Sequence, residues 1–128
     1  MKNEFVPYDI ALALKELGFD EECLGIYYPD LTDNVEWVPS NTFNREAFIE
    51  KGFMKAPLYQ QAFRFFRDRN ICFYISSYRM KEGVVWYRYV IERKEYEGFL
   101  YEHEAQDACL RKLIEIVNQN KDEVLKKG

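Results

Sequence analysis

The apolar positions along the chain follow two periods, and the period changes mark the elements. Ile10, Ala13, Leu14 and Leu17 recur at i, i+3, i+4 and i+7, which gathers them on one helical face. Pro7 opens this segment, where a missing N–H costs nothing, and Gly18 closes it. A glycine at that place takes the left-handed cap conformation, with Leu14 and Phe19 set for the apolar contact of a Schellman motif. A helix is therefore predicted over 7–17. A second helix opens at Pro57, with Leu58, Tyr59, Ala62, Phe63, Phe65 and Phe66 against Gln60, Gln61, Arg64, Arg67 and Asp68. Asn70, which tolerates the same cap conformation, ends it between Phe66 and Ile71. The third helix spans 104–119, its inner face formed by Ala105, Ala108, Cys109, Leu113 and Ile116, and the residues from about Lys121 are expected to fray.

Between the helices the period falls to two. Runs at 24–28 and 35–38 flank Pro29-Asp30-Leu31-Thr32-Asp33-Asn34, whose composition favours a turn. Three further runs, 71–78, 84–91 and 96–101, are joined by connectors too short for a parallel crossover, so they form an antiparallel meander. In the middle run Val85, Tyr87, Tyr89 and Ile91 alternate with Trp86, Arg88, Val90 and Glu92, which gives one apolar and one mixed face. Residues 39–56 carry the weakest pattern, a helix-compatible stretch ending at Gly52. The fold expected is a single α+β domain over 1–128. Its antiparallel sheet has three to five strands, with the 71–101 meander at its centre and the helices mainly on one face.

Composition sharpens this picture. The chain has 128 residues, 48% of them hydrophobic and 31% charged, which is globular rather than disordered composition. Ten Phe, ten Tyr and two Trp supply bulky core material, and each buried phenol or indole needs a partner for its polar tip. Apolar runs reach about five residues, against the ~20 of a membrane span, and Met1-Lys2-Asn3-Glu4-Phe5 lacks a signal-peptide pattern. A cytoplasmic protein is expected. Cys23, Cys72 and Cys109 are too far apart and too few for a disulfide framework or a zinc pattern, and read as reduced, buried thiols. Residues 1–55 carry five basic and eleven acidic side chains, residues 56–128 thirteen and eleven. Neither half has the strongly basic balance of a nucleic-acid-binding domain.

Catalytic patterns are missing from the local sequence. The six glycines are never closer than seven apart, so no phosphate-binding loop assembles. His103, the single histidine, reads as an exposed helix-entry residue, and Cys109 six residues on reads as a buried, inert thiol. Asp30, Asp33 and Glu36 lack the ligand spacing and central glycine of a calcium loop and read as a solvated turn. No catalytic residue, metal ligand or cofactor is assigned. The candidate binding patch is Arg64 and Arg67 on the second helix with Trp86 and Arg88 on a strand. The plainer reading of these residues is local ion pairing and a helix-packed sheet.

From Pro57 onward the element order, helix, three antiparallel strands, helix, is also that of double-stranded RNA-binding domains. Glu102, Glu104 and Asp107 occupy the groove-facing position where those domains place basic side chains, so the order carries topology without the activity. Three segments, Phe5 to Asp20, Ala56 to Arg67 and Ala108 to Val117, resemble a group of small uncharacterised proteins of gut-bacterial genomes and their phages or prophages. The resemblance implies a cytosolic accessory protein of mobile DNA or its host, with no activity or functional residue attached. The function expected is a non-catalytic binding or assembly module, its partner a protein or a second copy, on the strength of the abundant Tyr and Trp. Weak nucleic-acid binding and a small-molecule enzyme without a recognisable motif are the alternatives.

Overall fold

The computed structural model describes residues 4–37 and 52–127. The chain divides into two compact units, Met1–Phe63 and Arg64–Gly128. An α+β fold with antiparallel sheets is observed, as the alternation of periods predicts.

In the first unit helix α1, Tyr8–Glu16, precedes strands β1, Gly25–Tyr28, β2, Leu31–Trp37, and β3, Met54–Ala56. The helix ends as its sequence dictates. Gly18 has φ 104, the Phe19 N–H donates to the Leu14 carbonyl at 2.9 Å, and the Gly18 N–H donates to Lys15 at 3.0 Å. The strands pair antiparallel in the order β2-β1-β3. β3 falls where no strand was expected, because three residues are too few to display a period. The expected turn at 29–34 contracts to Pro29 and Asp30. Tyr27 pairs with Val35 but Tyr28 with Leu31, so Thr32, Asp33 and Asn34 are taken up as a bulge in β2. The helix-compatible stretch before Gly52 lies outside the described residues.

Phe5, Val6, Ile10, Leu14, Ile26 and Tyr27 are buried, and the Tyr27 hydroxyl donates to the Val6 carbonyl. The need of a buried phenol for a partner is met inside the core. The Lys55 ammonium reaches the Asp20 carboxylate at 3.3 Å and Gln61 Nε2 donates to the Glu22 carbonyl at 2.9 Å, which fastens the loop after α1.

Helix α2, Tyr59–Arg67, runs across the division between the units. Asn70 follows with φ 63, its N–H donating to the Arg67 carbonyl at 3.0 Å. The second unit then holds β4, Phe73–Arg79, β5, Val85–Ile91, β6, Lys94–Phe99, and α3, Glu102–Lys127. The meander forms in the order β4-β5-β6, and α3 packs on all three strands. α3 corrects the expected helix at both ends. It starts two residues early, where Glu102 and Glu104 meet the positive end of the dipole, and its backbone stays helical to Lys127 because no Gly or Pro intervenes.

The cysteines depart from expectation too. Cys109 is fully buried, but Cys23 is half-buried and Cys72 is exposed. Cys72 belongs to the even-numbered positions of the β4 approach, which project away from α3. None of the helices is long and apolar enough to cross a membrane among the described residues.

Candidate functional site

Strand register sorts the second unit's side chains onto two faces. Phe73 pairs with Ile91, Ile75 with Tyr89 and Ser77 with Tyr87, so these odd-numbered residues share one face. Tyr96 lies opposite Tyr89 and Phe99 opposite Tyr87 on the same side. Tyr89 stacks on Tyr96 at 4.6 Å between ring centroids, and Lys112 of α3 stands over the Tyr96 ring at 5.9 Å. This face is the one α3 covers. Burial pushes the Tyr89 phenol and the Cys109 thiol each up to about 12, so both stay protonated and chemically quiet at neutral pH.

The even-numbered residues form the other face. Tyr74 pairs with Val90, Ser76 with Arg88 and Tyr78 with Trp86. Arg88 Nε donates to Ser76 Oγ at 3.0 Å while its guanidinium lies over the Tyr78 ring at 5.6 Å, within cation–π range. Tyr78 reaches further. Its hydroxyl accepts from the Gly98 N–H at 3.3 Å, at a bulge where β6 advances three residues against two of β5. The φ of 95 at Gly98 suits a glycine, and nothing approaches the place of its absent Cβ. The Tyr78 ring and the Arg88 guanidinium are thereby held by the Ser76 hydroxyl, the Gly98 amide and each other. Among the described residues no carboxylate pairs with Arg88.

Tyr74 is 49% exposed, and Ser76, Tyr78, Trp86 and Arg88 are half-buried. At the end of the sheet Met80 and Val84 of the β4–β5 connection and Leu100 and Tyr101 after β6 are exposed as well. The pairing of Tyr87 with Phe99 brings Leu100 to the level of Trp86. Apolar surface therefore continues from the face onto that end.

The four residues of the sequence-based patch are not brought onto one surface. Trp86 and Arg88 are neighbours on the even face. Arg67 lies over the ring of Phe73 at 5.0 Å, and Phe73 belongs to the opposite, α3-covered side of the sheet. Arg64 is exposed on α2. Tyr74, Ser76 and Tyr78, which complete the surface around Arg88, were not singled out from the sequence. The signal existed in the length of the β4–β5 connection, which fixes which residue of β4 meets Arg88 across the ladder.

His103 is exposed at the start of α3 and stacks on Tyr101 at 5.8 Å. Among the described residues no group of three or more His, Cys, Asp and Glu side chains converges as a metal site would require. Compared with known proteins, the chain matches no family model, no curated protein and no solved structure.

Proposed function

We propose that the protein is a non-catalytic binding or assembly module that receives a protein partner on the Tyr74, Tyr78, Trp86 and Arg88 face of its second sheet. One observation carries this reading. Arg88 is held by Ser76 and the Tyr78 ring with no carboxylate beside it among the described residues, on the face of the sheet opposite α3, where Tyr74 is exposed. Tyr, Trp and Arg are the side chains that dominate interface energetics, and a guanidinium and ring already held in place lose little entropy when a partner arrives. The partner that suits this surface offers apolar side chains to Trp86 and Leu100 and a carboxylate to Arg88. A cytoplasmic bacterial or phage accessory system, as the sequence resemblance implies, is the setting in which to look for it.

Photo-crosslinking tests the reading. Benzoylphenylalanine replaces Tyr74, and the full chain is irradiated in extract of the cells that make it. The expected product is a discrete adduct with a different protein, distinct in mass from any adduct with a second copy of the chain and lost on Arg88→Ala. No such adduct overturns the proposal. A nuclease-sensitive adduct whose yield collapses with added salt replaces it with nucleic-acid binding.

A further inference from the structure

We infer that strand β4 pairs edge to edge with β4 of a second copy of this chain, joining two three-stranded sheets into one of six. The inference rests on the reading of the protein as an assembly module and names one of the partners. It starts from the two edges of the sheet. β6 is guarded in the ways that edge strands are normally guarded, by Lys94, Glu95 and Glu97 and by the bulge at Gly98. β4, Phe73–Arg79, is as long as β5, carries no charge before Arg79, and has neither proline nor bulge. A long edge with six uncharged residues in succession and no bulge is what a pairing strand requires and what a monomeric protein avoids.

Hydrogen-bond parity shows which groups that edge presents. The Glu92 N–H donates to the Cys72 carbonyl at 2.7 Å and the Met80 N–H to the Val84 carbonyl at 3.2 Å. Bonded pairs alternate in an antiparallel ladder, so Tyr74, Ser76 and Tyr78 direct their backbone groups to β5. Ile75, Ser77 and Arg79 direct theirs outward, where no strand among the described residues meets them.

The strand is complementary to itself about Ser76. A two-fold axis there sets Ile75 against Ser77 of the partner subunit, so outward groups meet outward groups and all seven residues are paired. Tyr74 comes opposite Tyr78 of the partner subunit, and Phe73 opposite Arg79 of the partner subunit. The tyrosine pair is a favourable cross-strand combination, and no like charges face each other. An axis at Ser77 would leave Phe73 and Tyr74 beyond the end of the partner strand. The pairing also runs the even faces of the two copies together into one aromatic surface.

Sedimentation velocity of the full chain from about 1 to about 100 µM is the test, since association must follow concentration. The expected species has twice the 15.4 kDa chain mass. Ser77→Pro, which removes an outward N–H and no ladder bond, raises the dimer dissociation constant by at least about tenfold with an unchanged circular dichroism spectrum. In a Cys72→Ser background, Ser76→Cys gives a covalent dimer when copper phenanthroline oxidises the two thiols to a disulfide, and Ser77→Cys and the background chain do not. A chain that stays monomeric across the range overturns the inference. So does a dimer that Ser76→Cys fails to lock, which holds whether or not Ser77→Pro folds. A monomer that still gives the foreign adduct at Tyr74 removes the dimer alone; a locked dimer without that adduct removes the binding face alone.

Discussion

Gly25 shows how a single position can be fixed by space rather than by backbone conformation. A Cβ built there would lie 2.4 Å from Cγ1 of Val35 and 2.9 Å from Cε1 of Phe5, and neither a branched stub nor an aromatic ring in the core can swing aside. Gly25→Ala is expected to cost about 1–3 kcal/mol, read as a lowered urea midpoint with unchanged m-value. The buried ionisable groups act at the same scale. Burial raises the Cys23 and Cys109 thiols from 9.0, and the Tyr89 phenol from 10.0, to about 12. The folded chain therefore keeps protons that the unfolded chain releases. Stability is fully present below about pH 9 and is lost progressively as pH rises towards about 12. Urea unfolding at a series of alkaline pH values reads this decline, and Cys109→Ala flattens it. Exposed Cys72 is the thiol expected to react first with Ellman's reagent, so Cys72→Ser removes the fast phase.

At the scale of elements, left-handed positions close the chain's turns, and their residue types separate what is optimal from what is tolerated. Gly18 at φ 104 admits no side chain without strain, so Gly18→Ala is expected to cost about 1 kcal/mol. Glu92 sits at φ 60 in the two-residue turn between β5 and β6, where glycine is at ease. Glu92→Gly is expected to gain up to about 1 kcal/mol, seen as a raised Tm. Both helix caps were legible because each couples a turn residue to an apolar pair, Leu14 with Phe19 and Phe66 with Ile71. The meander was legible because its three β-rich runs are joined by connectors too short for a parallel crossover. β3 was not, since three residues hold no period, and the bulge at 32–34 was not, since its Thr, Asp and Asn look like turn residues. α3 extends beyond the predicted 104–119 because no Gly or Pro breaks its backbone before Lys127.

For the molecule as a whole, the sequence disclosed that β5 has an apolar and a mixed face, and the structure shows which of them α3 covers. The odd face, with Tyr89 and Ile91 buried against α3, holds the second unit together. The even face carries half-buried Trp86 and Arg88 beside exposed Tyr74, with Arg88 held by Ser76 and the Tyr78 ring, and Val90 on the same face is buried. Arg88 and Trp86 could be picked out from the sequence because they interrupt an apolar strand. Their true neighbours were not picked out, since they follow from the register that the β4–β5 connection sets, which brings Tyr74 and Tyr78 beside them and sets Arg67 apart.

The division of the two faces is tested most directly by the unfolding free energies of Tyr89→Ala and Trp86→Ala, two large aromatics three residues apart on one strand. Tyr89→Ala is expected to cost about 3–5 kcal/mol and Trp86→Ala about 1 kcal/mol or less. Equal losses would contradict it, because Trp86 would then be as much a member of the core as Tyr89.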